Sequence, residues 1–113
     1  MKVYAVDFEA TYAVGRDIKT LGVVPYLEHP DTDVYLVSIH GPDLQYCGAL
    51  ETAPWALIDG QLWLSHHAAF DAAAFIEARK RGKIPRVVRD DLEYEEVAPS
   101  DWLCTANLCA FLA

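Results

Sequence analysis

The chain has 113 residues, which is enough for one small domain with a single hydrophobic core and too few for a second. Its 53% hydrophobic and 23% charged residues exclude a disordered protein. The 17 acidic and 9 basic residues give a net charge of −8, which argues against a protein that binds nucleic acid through a basic surface. The negative charge does not exclude an enzyme whose acidic residues bind metal ions that in turn contact phosphate.

Targeting features are missing from the sequence. No apolar run approaches the length of a membrane span, and the first residues lead straight into a predicted strand without a signal-peptide pattern. The sequence therefore predicts a cytoplasmic protein with no membrane partner.

The first predicted element, Val3 to Thr11, is an apolar strand that carries two acids near its end. Asp7 and Glu9 are two positions apart, and alternate side chains of a strand share a face. Two carboxylates on one face repel each other unless a cation lies between them, and oxygen ligands of this kind favour magnesium or manganese. The pair predicts a divalent-metal site, although the same Asp-x-Glu pattern is common in loops that bind nothing.

Further strands are predicted over Leu21 to Glu28 and over Val34 to His40, joined by a hairpin turn at residues 29–33. Together with the first strand they predict three antiparallel strands at the start of the chain. Leu44 to Cys47 is a candidate for a short fourth strand, and Glu51 to Ile58 for a short helix.

The second half of the chain begins with a predicted buried strand, Gln61 to Ser65, which leads directly into an alanine-rich helix, Ala68 to Arg81. Gly82 follows this helix where a C-terminal cap belongs. Residues 86–101 carry six acids and predict a solvated loop. Beyond them the sequence turns apolar, and Thr105 is a candidate cap for a final helix.

Cysteines and tryptophans are assigned to the core. Cys47, Cys104 and Cys109 have no metal-binding spacing and lie in apolar surroundings, so reduced core thiols are predicted. Trp63 and Trp102 are predicted core residues because aromatic rings contribute most through burial.

A third acid, Asp71, falls in the first turn of the helix that begins at Ala68. The helix dipole there stabilises its charged form, and the preceding strand brings it close to the other strand ends of the sheet. A third carboxylate beside Asp7 and Glu9 is what a site with two metal ions about 3.5–4 Å apart requires, because the ions need several bridging oxygens.

Two segments resemble motifs of a known family. Val-Asp-Phe-Glu-Ala-Thr, at Val6 to Thr11, resembles the first motif of the DEDD-type 3′–5′ exonucleases, and His-His-Ala-Ala-Phe-Asp, at His66 to Asp71, resembles their second motif. Trp102 to Thr105 resembles the segment that opens the next helix in the proofreading domain of phage-type family A DNA polymerases. The sequence between the two motifs is also similar to that domain, at Asp17-Ile18-Lys19, Gly22, Tyr26, His29-Pro30 and Asp33.

This resemblance implies a ribonuclease-H-like α/β fold with three antiparallel N-terminal strands, a further parallel strand and flanking helices. It implies two Mg²⁺ or Mn²⁺ ions and hydrolysis at the 3′ end of single-stranded DNA, with RNA as an open alternative. The residues assigned to catalysis and metal binding are Asp7, Glu9 and Asp71. The candidate substrate contacts are Phe8, Thr11 and His67, of which His67 replaces the usual asparagine of the second motif and is either a contact or a substitution without consequence.

The third motif of the family, a Tyr or His followed by the last Asp, has no match here, because Asp90, Asp91 and Asp101 lack the right neighbours. Residues 1–113 are therefore expected to be the truncated N-terminal part of one exonuclease domain, with little or no activity alone. The expected partners are a missing C-terminal half or a polymerase domain, or a second copy through the apolar C-terminus. The alternatives are a non-catalytic ribonuclease-H-like module that binds a partner or nucleic acid, and a small acidic α/β domain whose acids are only solvated.

Overall fold

A computed structural model of the chain describes residues 1–11, 22–88 and 94–105. Within these ranges the strands are β1 Val3–Ala10, β2 Val34–Gly41, β3 Leu44–Gly48, β4 Leu62–Ser65, β5 Val87–Val88, β6 Tyr94–Glu95 and β7 Asp101–Cys104. The α-helices there are α1 Val23–Glu28, α2 Trp55–Ile58 and α3 Ala68–Lys80, and Leu50–Thr52 forms a 3₁₀ turn.

The main sheet has the spatial order β3-β2-β1-β4-β7. Strands β1, β2 and β3 are antiparallel neighbours, whereas β4 and β7 run parallel to β1. The pairing of β1 with β4 ends at Ala5 and Leu64, so the second half of β1 extends past its neighbour. The molecule is therefore an α/β domain with a mixed sheet, and among the described strands none pairs with the second half of β1 on the side of β4.

One face of the sheet forms the core. Along β1, Tyr4, Val6 and Phe8 are buried while the residues between them are exposed, which is the alternation expected of a half-buried strand. Helix α3 packs on the buried face against β1, β4 and β7. Aromatic rings fill the space between sheet and helix: Phe8, Trp55, Trp63, Phe75 and, partly buried, Trp102.

The predicted strand at Leu21 to Glu28 is wrong, because residues 23–28 form helix α1. Its Val-Val-Pro-Tyr-Leu sequence favours a strand locally, but Pro25 lies in the first helical turn, where its missing N–H is not needed. Tyr26 and Leu27 are buried in the core, so tertiary packing outweighs the local preference. Residues 29–33 consequently connect a helix to a strand and are not a hairpin turn.

A single arginine joins the end of α1 to the end of α3. The Arg81 guanidinium donates hydrogen bonds to the carbonyl oxygens of Leu27 at 2.9 Å and His29 at 3.0 Å, and also to that of Thr32. These carbonyls lie at and beyond the C-terminus of α1, where a helix leaves backbone acceptors without intrahelical donors. Arg81 thus satisfies them from a segment about 50 residues further along.

Three other predictions are confirmed with adjusted bounds. The alanine-rich helix is α3, and Gly82 behind it has the positive φ of 75° expected at a C-terminal cap. The buried strand is β4, and the candidate fourth strand is β3. The third antiparallel strand of the N-terminal set is therefore Leu44–Gly48 in place of Leu21 to Glu28.

Structure appears in two places where none was predicted. Asp101–Cys104 is the parallel edge strand β7, and the acidic stretch of residues 86–101 contains the paired two-residue strands β5 and β6. Both were missed because short strands carry too few residues to show an alternating pattern. The predicted final helix after Thr105 lies outside the described residues.

The assignments to the core are confirmed for Trp63, which is fully buried, whereas Trp102 is partly buried against it. The prediction of a core thiol is wrong for Cys47, which is exposed and carries a free thiol. Its side chain lies on the exposed side of β3 because side chains alternate along a strand. Cys104 is partly buried, and Cys109 is not among the described residues.

We expect Gly41→Ala to lower the free energy of unfolding by about 2–3 kcal/mol, because overpacking at a tight site typically costs this much. A Cβ at Gly41 would lie 2.2 Å from the nearest ring carbon of Tyr4, a buried residue that cannot move freely. Urea denaturation followed by tryptophan fluorescence measures the change. Gly60→Ala is the comparison, because its Cβ meets no atom within 4 Å, so its only cost is the strain of alanine at a φ of 75°. A loss in Gly41→Ala no larger than the loss in Gly60→Ala would contradict the clash.

Candidate functional site

The two acids of β1 share the exposed face of the sheet, as predicted, on the side opposite to the buried Phe8. Asp7 lies beside Ser38 of β2, and Glu9 beside Leu36. Asp7 also lines an open groove of about 510 Å³. The groove is lined by Ala5, Val6, Asp7, Ser38, His40, Leu64, Ser65, His66, His67 and Thr105.

The groove lies where the parallel strands end. Strands β1, β4 and β7 run in one direction, so their carboxyl ends meet at one edge of the sheet. Binding sites of open α/β sheets form in this position. Each of the three strands delivers polar groups to it: Asp7 from β1, the histidines after β4, and Thr105 after β7.

Asp71 lies in the first turn of α3 and points into the protein, with a relative exposure of 1%. Its Oδ1 accepts a hydrogen bond from the Phe8 backbone N–H at 3.0 Å, and its Oδ2 accepts one from the Ser65 hydroxyl. The Ser65 oxygen in turn accepts a hydrogen bond from the His67 N–H at 3.0 Å. Asp71 therefore links the start of α3 to β1 at the residue between Asp7 and Glu9.

Burial raises the pKa of Asp71 above its ordinary value of 3.8, and the nearby Asp7 charge acts in the same direction. The hydrogen bonds from Ser65 and from the Phe8 N–H oppose this rise because they favour the carboxylate, and His67 also lowers the pKa. The pKa is raised overall, so the desolvation of the buried carboxylate outweighs the effect of its two hydrogen bonds.

We expect the wild type to lose stability relative to Asp71→Asn as the pH rises above about 3.8, the ordinary pKa of this carboxyl. The folded protein holds the Asp71 proton more tightly than the unfolded chain does. Its stabilising effect is therefore complete below the unfolded pKa and is lost as the pH rises through the folded pKa. Urea denaturation of both proteins at a series of pH values tests this, and a difference that does not vary with pH would contradict it.

The two histidines between β4 and α3 are exposed and line the groove. The His66 Nδ1 lies 2.7 Å from the Thr105 Oγ1, which ties the end of β4 to the end of β7. The His67 ring packs edge-on against His66 with 4.6 Å between the ring centroids. His67 is the N-cap residue of α3 but makes no side-chain capping bond, so its imidazole is available to a molecule in the groove.

Two predicted substrate contacts have structural roles. The Phe8 side chain is 2% exposed and stacks on Trp55 in the core, on the side of the sheet opposite to the exposed acids. Its contact with a substrate stays a prediction that this burial does not favour. Thr11 is exposed, but its Oγ1 accepts a hydrogen bond from the Asp33 N–H at 2.9 Å, while its own N–H donates to the Asp33 oxygen at 2.8 Å. Its hydroxyl fixes the start of β2.

The predicted set of three carboxylates is only partly assembled. Asp7 and Glu9 lie together on the exposed face, whereas Asp71 is buried, does not line the groove and has a donor on each oxygen. In the part of the chain that the structure describes, no group of three or more acids, histidines and cysteines is arranged to hold a metal ion. Asp7 and Glu9 are the two carboxylates of the predicted set that are exposed.

Ser65 and Thr105 line the groove, but the sequence predicts neither of them as a site residue, and it predicts Thr105 only as a candidate helix cap. Ser65 is 2% exposed and follows Trp63 on the buried side of β4. A serine at an inward position of an otherwise apolar strand needs a hydrogen-bond partner. That requirement, together with an acid six residues later, is the signal that points to the Ser65–Asp71 pair.

The chain matches no protein-family model, no curated protein and no solved structure. None of the helices in residues 1–11, 22–88 and 94–105 has the length and apolar character needed to cross a lipid bilayer.

Proposed function

We propose that the chain is the N-terminal part of a 3′–5′ exonuclease domain of the DEDD type, which hydrolyses phosphodiester bonds at the 3′ ends of single-stranded DNA by a two-metal mechanism. The observation that carries this proposal is the hydrogen bond from the Phe8 N–H to Asp71. It fixes the segment that resembles the second motif against the strand that resembles the first, at the residue between Asp7 and Glu9.

The sheet supports the ribonuclease-H-like part of the proposal. Three antiparallel strands are followed by parallel strands, and α3 covers one face. Asp7 and Glu9 occupy the central strand of this sheet, next to the carboxyl ends of the parallel strands, where ligands of such sheets bind.

In the proposed reaction, Asp7 and Glu9 would hold Mg²⁺ or Mn²⁺ through carboxylate oxygens. Such ions, when bound, would activate a water for attack on the phosphate and would neutralise the charge that develops on it and on the leaving 3′-oxygen. The groove beside Asp7 receives the terminal nucleotide, and the exposed His67 imidazole contacts it. The remaining acid and the Tyr or His of the third motif come from a C-terminal half, in a cytoplasmic protein that includes a polymerase domain or acts as a separate nuclease.

The 113-residue chain is expected to release mononucleotides from a 5′-labelled single-stranded DNA only slowly in Mn²⁺, because it lacks the third motif. Asp7→Ala should abolish this release, and Glu51→Ala, which removes an exposed acid outside the groove, should leave it unchanged. Gel electrophoresis of timed samples, with and without EDTA, measures the products. A labelled RNA of the same sequence identifies the preferred substrate.

Two results would contradict parts of this proposal. Rapid cleavage that is lost in Asp7→Ala would show that the third motif is not needed. No cleavage together with no Mn²⁺ binding, measured by electron paramagnetic resonance of the free ion, would reject the enzyme.

The alternative function, a non-catalytic ribonuclease-H-like module that binds nucleic acid or a partner, is favoured by one observation. The described residues contain no group of three metal-binding side chains. DNA binding that is independent of divalent cations and unaffected by Asp7→Ala would favour this module over the nuclease.

A further inference from the structure

The Asp71 carboxylate is buried and hydrogen-bonded within the protein, unlike the carboxylate of an exposed metal ligand. Its side chain is 1% exposed, and it is not among the residues that line the groove. Both of its oxygens accept hydrogen bonds from groups of the protein, the Phe8 N–H at 3.0 Å and the Ser65 hydroxyl. At 1% exposure neither oxygen of Asp71 is open to a cation in the groove, and turning the side chain outward to reach one would leave both buried donors without an acceptor.

The backbone group that Asp71 binds has a particular place in the sheet. The pairing of β4 with β1 stops at Leu64 and Ala5, so within the described residues no strand pairs with the edge of β1 beyond Ala5. Asp71 supplies the acceptor for the Phe8 N–H on this strand, just after the pairing ends. The carboxylate thereby anchors the backbone of β1 at the residue between the two exposed acids.

Ser65 fixes the carboxylate in turn. It is 2% exposed, it is the last residue of β4, and its hydroxyl donates to Asp71 while accepting the His67 N–H at 3.0 Å. The strand end, the start of α3 and the middle of β1 are joined through this one hydroxyl and one carboxylate. A shift of Asp71 would therefore move the Phe8 backbone and, with it, its neighbours Asp7 and Glu9.

We propose that Asp71 and Ser65 are positioning residues that hold the backbone between Asp7 and Glu9, and that Asp71 does not itself bind the metal ion. This inference rests on the proposed function for the role of Asp7 and Glu9. The hydrogen bonds that define it belong to the described fold and are measurable without any metal or substrate.

The substitution Asp71→Asn separates the two roles. An asparagine can keep the hydrogen bond from the Phe8 N–H through its oxygen and can donate to the Ser65 oxygen through its amide. It removes the negative charge that makes a carboxylate a stronger ligand of divalent cations than an amide oxygen. A positioning role depends on the hydrogen bonds, whereas a ligand role depends on the charge.

The first measurement is the affinity of the 113-residue chain for Mn²⁺ alone, by electron paramagnetic resonance of the free ion. We expect Asp71→Asn to stay within about threefold of the wild type, a small free-energy change. We expect Asp7→Asn to lose at least about tenfold, the scale on which metal sites respond to loss of a needed group. Glu51→Gln is the control for the loss of one negative charge elsewhere.

An equal loss of affinity in Asp71→Asn and Asp7→Asn would overturn the positioning role and make Asp71 a ligand, while the proposed function would stand. A wild type that binds no Mn²⁺ would overturn the proposed function. The positioning contact itself would then be decided by the second measurement.

The second measurement is the ¹H–¹⁵N spectrum of the metal-free chain, in which the Phe8 amide proton reports its hydrogen bond to Asp71. We expect this signal to shift in Ser65→Ala, because the carboxylate loses one of its two donors, and to stay in place in Ser100→Ala, which removes an exposed hydroxyl far from Asp71. An unchanged Phe8 signal in Ser65→Ala would overturn the assignment of Ser65.

Discussion

Phe75→Ala is expected to lower the free energy of unfolding by about 4 kcal/mol, within the range for truncating a buried phenylalanine. The Phe75 ring lies between sheet and helix, with its centroid 4.9 Å from that of Trp63, 6.2 Å from that of Trp55 and 6.5 Å from that of Trp102. Removing it leaves a cavity among large rigid rings that cannot close the space by small rotations. Urea denaturation monitored by circular dichroism gives the value.

Ile76→Ala is the matched control for this prediction, because it changes the next residue of the same helix at a position that is 45% exposed. Its effect should stay within about 0.5 kcal/mol, as is usual for surface substitutions. Similar losses in the two variants would mean that the buried Phe75 ring stabilises the fold no more than an exposed side chain of the same helix does. The aromatic cluster would then contribute little.

Asp71→Ala is expected to lower the free energy of unfolding by about 3 kcal/mol, because it leaves two buried donors without an acceptor and each costs about 1–3 kcal/mol. These donors are the Phe8 N–H and the Ser65 hydroxyl. Asp71→Asn should cost much less, since the amide can pair with both groups. Urea denaturation of both variants at pH 7 measures the difference.

A double-mutant cycle with Ser65→Ala provides the check on this prediction. Two residues that share a buried hydrogen bond lose less together than the sum of their separate losses. The double variant should therefore be only slightly less stable than Asp71→Ala alone. Strictly additive losses would show that the Ser65–Asp71 contact does not contribute to stability.

The elements that could be predicted most closely from the sequence are those in which a long segment shows a clear helical or alternating pattern. Helix α3 combines alanine-rich sequence, no internal Gly or Pro, and Gly82 at its end, and its observed bounds differ from the prediction by one residue. Strand β1 shows a clear alternation, with Asp7 and Glu9 on one face as predicted. In both elements, local preference and tertiary packing favour the same structure.

The sequence predicts the wrong structure where tertiary packing outweighs the local preference of the residues. Helix α1 has six residues rich in β-branched and aromatic side chains, and a helix of that length is not stable by itself. Its helical form depends on the burial of Tyr26 and Leu27 and on Arg81, a residue far along the chain. Strand β7 likewise exists through its pairing with β4, which a local pattern does not contain.

The acidic residues of the candidate site could be predicted from the sequence, but the direction in which the Asp71 side chain points could not. The spacing of Asp7 and Glu9 determines that they share a face, because the period of a strand is two. The position of Asp71 in the first turn of α3 does not determine whether that turn points to the groove or to the core. That depends on how α3 packs on the sheet, and the packing directs Asp71 to Ser65 and to the Phe8 backbone.

The contacts of Arg81 also bear on the order in which the chain folds. They join α1 to residues about 50 positions away, so closing this loop costs chain entropy before any contact is gained. We therefore expect α1 to dock fully only after α3 is in place on the sheet. In native-state hydrogen exchange, the amides of α1 should open with a lower free energy than those of α3, as a separate cooperative unit at the edge of the domain.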